Sequence, residues 1–353
     1  MMLRKKLILL LLILSISSHV KSQDLVIEHG NLKIGGTLEV SESYTKGDPL
    51  VILISGSGAQ DRDESIFGFK PFKVVAEHLL EQGISSFRYD DREVGSSNGN
   101  FSETPLDELA NDVSTIMDYF QFQSAQLYDS FILLGHSQGG VVATKVANND
   151  DRISGIILMA SPTVPMKDVI NEQVALIQKA SGKTEEDIQS VLSFQEKAYE
   201  TARTNEGWDE LKKDYQHLIE RVLSKLPEAQ QQFIVDIEAF ATAQFNAQVS
   251  PMQSAQMRSL LFYNPIQDLE GIEVEILALF GGKDTQVTPS QNEPILQELC
   301  EADRMKCTIK NFPDANHLFQ KANSGFVNEY GMLPKAFIDG FLDEISGWIE
   351  NEF

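Results

Sequence analysis

The sequence FILLGHSQGG occupies residues 131–140 and decides the fold. It begins within an apolar run, residues 130–134, which predicts a strand buried on both faces of a sheet. The run Gly135-His136-Ser137-Gln138-Gly139 follows at once and fits the pattern G-x-S-x-G, and residues 139–148 then have the character of a helix. In this setting the serine lies on a sharp strand-to-helix turn, and the glycines leave room for a strained backbone. Ser137 is therefore the candidate nucleophile.

Short apolar or alternating runs recur on both sides of this motif. Gly30 and Asn31 separate the first two runs and predict a hairpin. After the hairpin, strands alternate with helices, which predicts an α/β fold: a mostly parallel central sheet with helices on both faces. The predicted strands are residues 24–29, 32–40, 50–54, 84–89, 130–134, 156–160, 275–280 and 306–312, and the predicted helices include 72–82, 105–121, 139–148, 294–301 and 334–349.

The alternation stops between residues 163 and 262, where the sequence is polar, helix-rich and poor in β-type runs. Such a block between two core strands predicts a helical cap inserted between late strands of the sheet. The core domain then comprises residues 23–162 and 263–353. We expect the cap to act as a lid over the active site, and a helical decoration without substrate contact is the alternative.

A serine hydroxyl is a weak nucleophile and needs a base, usually a histidine that a carboxylate orients. Of the six histidines, His317 lies just past the last predicted strand, in the loop that holds residues 313–319. His217 falls inside the insertion, where we favour a structural role. His136 is next to Ser137, and we expect it to face away from the site. His317 is the predicted base.

The acid should lie between serine and histidine in chain order, at a strand end. Asp284 meets both conditions, because it follows the apolar run 275–280 after two glycines that let the backbone turn. Asp268 and Asp303 compete for the role, but neither follows a strand end. Asp284 is the predicted acid.

The tetrahedral intermediate also needs preorganised hydrogen-bond donors for its oxyanion. One predicted donor is the backbone N–H of Gln138, directly after the nucleophile. The other is the backbone N–H of Ser57, in the glycine-rich loop 55–58 that follows the strand 50–54. An ordinary Gly/Ser turn is the alternative interpretation of this loop.

Five motifs together resemble a known group of proteins: GSGAQDRDE (56–64), RYDDREVGSS (88–97), GHSQGG (135–140), NHLFQ (316–320) and Glu329-Tyr330. They resemble the EstD-like secreted bacterial carboxylesterases of the α/β-hydrolase superfamily, often described as serine-aminopeptidase-like. The resemblance covers nearly all of the chain after residue 22 except the insertion. It implies an α/β-hydrolase fold and hydrolysis of short-chain acyl esters by Ser137, Asp284 and His317. The family usually has glycine where this chain has Glu93.

Two charged triplets, residues 61–63 and 90–92, lie within these motifs. One interpretation is an internal brace of ion pairs, and the other is a contact for a polar substrate. We favour the brace.

The N-terminal 22 residues have the layout of a secretory signal peptide. Basic residues at positions 4–6 precede an apolar run, residues 7–16, which is too short to span a bilayer, and small residues follow. We predict cleavage after Ser22 and export to the periplasm or the extracellular medium, with no membrane association after cleavage. A retained anchor helix is the alternative.

The charge of the chain argues against several partners. The formal net charge is −23, and the predicted cleavage would leave 25 basic against 52 acidic residues. Such a surface repels phosphate backbones and anionic membranes, so we expect no nucleic-acid partner. The expected partner is a small acyl-ester substrate. The oligomeric state is not determined by the sequence.

The two cysteines, Cys300 and Cys307, lie seven positions apart. In an exported chain this spacing predicts a disulfide between a helix end and a strand. Two unpaired thiols are the alternative. With no histidine nearby the pair makes a poor metal site, and we expect no cofactor.

Three functions remain open at this point. An esterase acting on small acyl esters is the first, and an aminopeptidase or amidase with the same triad is the second. An aminopeptidase must hold a substrate ammonium, for which Glu172, Glu196 and Glu200 of the insertion are candidates. A catalytically silent binding protein is the third, and the intact Ser–Asp–His order argues against it. A metallohydrolase is disfavoured, because no carboxylate or histidine cluster has ligand spacing.

Overall fold

The structure is a computed structural model that describes residues 21–301 and 306–353. Eight strands form one sheet in the order β1-β2-β4-β3-β5-β6-β7-β8. The strands from β3 to β8 are mutually parallel, and β1 and β2 form an antiparallel extension at one edge. The strands are β1 Lys21–His29, β2 Leu32–Val40, β3 Leu50–Ile54, β4 Ser86–Tyr89, β5 Phe131–His136, β6 Ile153–Met159, β7 Glu275–Gly281 and β8 Cys307–Phe312.

Helices cover both faces of this sheet. The helices are α1 Pro71–Glu81, α2 Leu106–Phe122, α3 Gln138–Ala147, α4 Met166–Ala180, α5 Glu185–Thr204, α6 Trp208–Ser224, α7 Glu228–Gln231, α8 Ile237–Gln248, α9 Ala255–Leu261, α10 Pro265–Leu269, α11 Pro289–Glu301 and α12 Phe341–Glu352, with 3-10 helices at Ser250–Gln253 and Val327–Met332. Side chains of a strand alternate between its faces. In β3, Ile52 packs with α2, α3 and α11, whereas Val51 and Leu53 pack with α1 and α12. The apolar runs of the sequence are thus strands buried on both sides.

Six helices, α4 to α9, lie between β6 and β7, in the segment for which a cap is predicted. They have an apolar cluster of their own, in which Tyr215 packs against Phe194 and Phe245. Ile170 and Met257 contact both this cluster and the core of the sheet. The α/β-hydrolase architecture, with helices on both faces and a helical insertion between late strands, is therefore confirmed.

The first residue was predicted wrongly for two helices. The last helix begins at Phe341 and not at residue 334, because Gly340 precedes it with a φ of 82°, a left-handed conformation that interrupts a helix. Helix α11 begins at Pro289, five residues earlier than predicted, and contains Pro294 in its interior.

The predicted signal peptide lies almost wholly outside the described residues. Its last two residues, Lys21 and Ser22, belong to β1 and pair with Val40 and Glu39 of β2. Within the described parts of the chain, no helix has the length and apolar character needed to cross a membrane.

The charged triplets form the predicted brace at the edge of the sheet. Arg62 binds Asp90 through two hydrogen bonds, and Arg88 contacts both Asp63 and Glu39 at 2.9–3.0 Å. Arg92 binds Asp112 through two hydrogen bonds in the same way, with both distances 2.8 Å.

Asp91 stands apart from these ion pairs. It is buried, and its Oδ2 accepts hydrogen bonds from the Ser55 hydroxyl and the Gln60 N–H at 2.7 and 2.9 Å. Burial raises the pKa of Asp91 to about 7, although these two hydrogen bonds oppose the shift. The folded protein therefore binds a proton at Asp91 that the unfolded chain releases at about pH 4. Between those two pH values the free energy of unfolding falls as the pH rises, and above pH 7 this contribution is constant.

Asp91→Asn removes this titration and keeps an oxygen acceptor for Ser55 and Gln60. The free energy of unfolding of the variant, relative to wild type, should rise between pH 4 and 7 by an amount on the order of 4 kcal/mol and then level off. Urea denaturation at several pH values measures the difference. Asp90→Asn is a matched control of opposite sign. Burial opposes ionisation of Asp90, but the hydrogen bonds from Arg62 prevail and lower its pKa. A pH-independent difference for Asp91→Asn would contradict this account.

Candidate active site

Ser137 occupies a strained turn between β5 and α3. Its backbone has a φ of 53° and a ψ of −121°, a conformation that a residue with a side chain rarely adopts. The helix can start this close to the sheet because Gly139 has no side chain: a Cβ there would collide with the carbonyl of Ile54 at the end of β3. A Cβ at Gly135 would likewise collide with the backbone of Gly139. The turn presents Ser137 at the carboxyl edge of the parallel sheet, beside the ends of β3 and β6.

Asp284 and His317 meet at the same edge. Asp284 follows β7, His317 follows β8, and Asp284 Oδ2 lies 2.7 Å from His317 Nδ1. The other carboxylate oxygen of Asp284 accepts hydrogen bonds from the backbone N–H groups of Gln286 and Val287 at 2.7 and 3.0 Å. Both side chains are buried, so the hydrogen bond is screened from water. The carboxylate is thereby fixed, and it orients the imidazole.

The competing residues lie elsewhere. Asp268 contacts Asn148 and the Tyr263 hydroxyl, in the core away from the histidine. His217 is exposed on α6. Asp303 lies outside the described residues.

The loop that carries His317 is held by its own polar side chains. Asn316 is fully buried, and its Oδ1 accepts hydrogen bonds from the N–H groups of Leu318 and Gln320. Farther along the chain, the Glu329 carboxylate accepts the N–H groups of Ser324 and Gly325. These contacts explain why the motifs 316–320 and 329–330 contain asparagine, glutamine and glutamate.

A cavity of about 360 Å³ opens where these loops meet. Ser57, Ser137 and His317 all line it, so the predicted nucleophile, base and oxyanion loop share one space. The rest of the wall is mostly apolar, and part of it comes from α4 and α9 of the insertion. The apolar wall residues are Ile66, Phe67, Met166, Val169, Ile170, Met257, Leu260, Val287, Leu318 and Val327.

The predicted oxyanion donors lie on either side of Ser137. Gln138 is the first residue of α3, where N–H groups have no partner within the helix. On the other side, a Cβ at Gly56 would lie only 3.4 Å from the Cβ of Ser137, so the loop of Ser57 packs against the nucleophile. The N–H of Gly56 is already occupied by the Glu64 carboxylate at 2.7 Å. The next N–H along the chain, that of Ser57, forms no hydrogen bond within residues 21–301 and 306–353.

Glu64 and His136 are part of the site, although the sequence did not single them out for a role. Glu64 Oε1 lies 2.7 Å from His136 Nδ1, and both side chains are buried. The expectation that His136 faces away from the site is wrong: the residue lines the cavity, and its ring centroid lies 4.7 Å from that of His317. Burial disfavours the charged imidazole, but the Glu64 carboxylate outweighs it and raises the pKa of His136. The motif GSGAQDRDE includes Glu64, and its place in that motif was the one sequence feature that could have indicated a role for this residue.

The glutamates considered for an ammonium site do not line the cavity. Glu196 accepts a hydrogen bond from Asn171, and Glu200 is paired with Arg203. Glu172 is likewise absent from the described cavity wall, in which Glu64 is the one carboxylate.

Glu93, the departure from the family pattern, has a φ of 68°. Glycine adopts this left-handed conformation without strain, which explains the family's usual residue. Here the Glu93 carboxylate accepts a hydrogen bond from the N–H of Phe101 at 2.9 Å, which offsets part of the strain.

Cys300, near the end of α11, is paired with Cys307, the first residue of β8. Their Cα atoms are 5.9 Å apart, within the range that a disulfide spans. In the described part of the chain, no three His, Cys, Asp or Glu side chains are grouped as a metal site requires.

The chain is similar to known proteins in sequence and in fold. The chain is 24% identical over 304 residues to esterase EstD of Thermotoga maritima, an alignment that covers 85% of this chain and 62% of that relative's length. Its fold matches esterase Pf2001 of Pyrococcus furiosus, with a TM-score of 0.53, 14% identity and coverage of 94% and 90% of the two chains. It also matches a proline iminopeptidase of Mycobacterium smegmatis, with a TM-score of 0.55, 14% identity and coverage of 94% and 98%.

The family described as serine aminopeptidase, S33, matches residues 70–321. That region contains Ser137, Asp284 and His317 and spans most of the sheet. The chain therefore belongs to this family of α/β-hydrolases.

Proposed function

We propose that this protein is a serine hydrolase that cleaves short-chain carboxylic acid esters through an acyl-enzyme on Ser137. The observation that carries the proposal is the 2.7 Å hydrogen bond between Asp284 and His317, buried beside the cavity that Ser137 lines. The family membership and the similarity to EstD support the same chemistry.

In the proposed reaction, the Ser137 hydroxyl attacks the ester carbonyl while His317 Nε2 takes its proton. Asp284 stabilises the imidazolium that forms. The N–H groups of Ser57 and Gln138 hold the negative charge of the tetrahedral intermediate. Collapse breaks the bond to the alcohol, which leaves with the proton from His317. Water then attacks the acyl-enzyme by the same route, releases the carboxylic acid and regenerates Ser137.

The cavity wall favours an ester over an amino-terminal amide. A substrate ammonium needs an anionic partner, and Glu64, the one carboxylate of the described wall, is fully buried and binds Gly56 and His136 through its Oε1. The apolar remainder of the wall suits an acyl chain. The family's description as aminopeptidases keeps the amide reaction as a second candidate, which the substrate panel below tests.

Three further assignments accompany this proposal. Residues 163–262 act as the cap over the core of residues 23–162 and 263–353, because α4 and α9 supply part of the cavity wall. The chain is exported after cleavage behind Ser22. Cys300 and Cys307 are oxidised in the exported protein, which the approach of their Cα atoms supports.

Purified protein should hydrolyse p-nitrophenyl acetate and butyrate faster than aminoacyl-p-nitroanilides. Ser137→Ala should lower kcat by a factor on the order of 10⁶, since the acyl-enzyme cannot form. Absorbance assays with both substrate classes measure the two rates. Preference for the anilides would favour the aminopeptidase, and unchanged turnover by Ser137→Ala would refute the nucleophile.

Replacing the base should be as damaging as replacing the nucleophile, because the triad acts as a unit. We expect His317→Ala to reduce kcat for p-nitrophenyl butyrate to the level of Ser137→Ala, and Asp284→Asn to reduce it somewhat less. His217→Ala is the control, since that side chain is exposed on α6, and its kcat should equal that of wild type. Strong loss with His217→Ala and a mild effect with His317→Ala would reverse the assignment.

Export should leave a measurable record. Protein recovered from the periplasm or medium should begin at Gln23 and contain no thiol that reacts without reductant. N-terminal sequencing and a thiol titration in denaturant check both points, with reductant-treated protein as the control expected to give two thiols. An intact N-terminus, or two thiols in the untreated protein, would refute the corresponding assignment.

A further inference from the structure

Glu64 and His136 lie inside the site but outside the proposed triad. Their exposed fractions are 0% and 2%, and neither takes part in the reaction described above. Burying an acid and an imidazole is unfavourable unless each is well paired. Here the pairing joins parts of the chain that are 72 residues apart.

One chain of hydrogen bonds runs through this pair. The N–H of Gly56 donates to Glu64 Oε1 at 2.7 Å, and Glu64 Oε1 contacts His136 Nδ1 at 2.7 Å. At the other side of the ring, His136 Nε2 lies 3.1 Å from the carbonyl oxygen of His317. The chain therefore connects the residue before Ser57 with the backbone of His317.

Counting protons shows what kind of pair this is. A carbonyl oxygen only accepts, so His136 Nε2 carries a proton toward His317. The contact between Nδ1 and Glu64 Oε1 needs one more proton. Since Oε1 already accepts the Gly56 N–H, an imidazolium that donates from Nδ1 lets the carboxylate accept both of these bonds through Oε1. The pair then has no net charge beside the His317 ring.

The same link borders the nucleophile. Gly56 packs against Ser137, and the rings of His136 and His317 lie 4.7 Å apart. A displacement of about 1 Å in a reacting group can reduce a rate about 100-fold. Loss of a contact that holds both the oxyanion loop and the base loop is therefore expected to lower kcat.

We propose that Glu64 and His136 are positioning residues, whose hydrogen-bonded pair fixes the Ser57 loop and the His317 loop relative to each other across Ser137. The proposal rests on the hydrolase function proposed above, in which these loops supply an oxyanion donor and the base. It assigns the glutamate of the DRDE sequence to the geometry of the site rather than to substrate binding.

Another role for Glu64 would leave a different kinetic signature. Its Oε2 has no hydrogen-bond partner among the described residues, and its side chain borders the cavity. A carboxylate that bound a substrate ammonium would act on the KM for aminoacyl substrates. A positioning residue acts on kcat for any substrate.

The kinetic test compares Glu64→Gln, His136→Gln and the double variant on p-nitrophenyl butyrate. We expect each single variant to lower kcat about 100-fold and to leave KM within about threefold, because the link serves the transition state. The kcat of the double variant should be no lower than that of the less active single variant, because both changes break the same link. Asp112→Asn is the matched control: it also removes a buried, hydrogen-bonded carboxylate, lies outside the cavity wall and should keep wild-type kcat.

A second measurement is independent of ester turnover. In uniformly ¹⁵N-labelled protein, NMR should show His136 protonated on both ring nitrogens, and Glu64→Gln should leave it protonated on Nε2 alone. The amide signal of Ser57 and the ring signals of His317 should shift in the same variant. Circular dichroism confirms that each variant is folded, and His136→Gln replaces Glu64→Gln if the latter does not fold.

The outcomes separate the two proposals. If wild type shows no Ser137-dependent ester hydrolysis, the hydrolase function is wrong and the NMR result alone decides the link. Wild-type kcat in the folded variants, additive losses in the double variant, or a KM effect confined to aminoacyl substrates would overturn the positioning role. A neutral His136 would overturn the ion pair, and unshifted signals of Ser57 and His317 would overturn the link itself.

Discussion

The contact between Gly139 and the carbonyl of Ile54 is the constraint on which the site depends. It lets the first turn of α3 lie against the end of β3, and the chain reaches that position only if Ser137 accepts a φ of 53°. The helix start then places the N–H of Gln138 beside the nucleophile. The same approach brings the loop after β3 into contact with Ser137. One close packing contact between a strand and a helix thus brings the nucleophile together with both sides of the proposed oxyanion site.

Four acidic residues around the site have partners within the protein. Asp63 and Asp90 are paired with arginines, Asp91 accepts two hydrogen bonds, and Glu64 binds His136. These contacts hold the loops after β3 and β4 in shape. The reacting group of an ester is uncharged and needs no charged partner from these residues, which agrees with the mostly apolar cavity wall.

The sequence predicted the features that depend on local pattern, and it missed those that depend on distant contacts. All eight strands were predicted, because apolar runs between turn residues are a local signal. The start of the last helix was missed because Pro334 suggested an N-terminus, whereas the chain turns at Gly340. The roles of Glu64 and His136 could not be derived, since neither residue has a local pattern that names its partner. Asp284 and His317 were found because chain order and strand ends restrict the choice.

The core and the insertion contribute different parts of the site: the core carries the triad, and the insertion carries part of the cavity wall. Ser137, Asp284 and His317 follow strands of the core, whereas α4 and α9 supply apolar wall. The insertion is also bound to the acid loop, through the hydrogen bond from Gln173 Nε2 to the carbonyl of Gln286 at 2.8 Å. The N–H of Gln286 itself and that of Val287, the next residue, both donate to the Asp284 carboxylate. A change in the insertion would therefore alter the shape of the cavity first and would reach the acid of the triad through this loop.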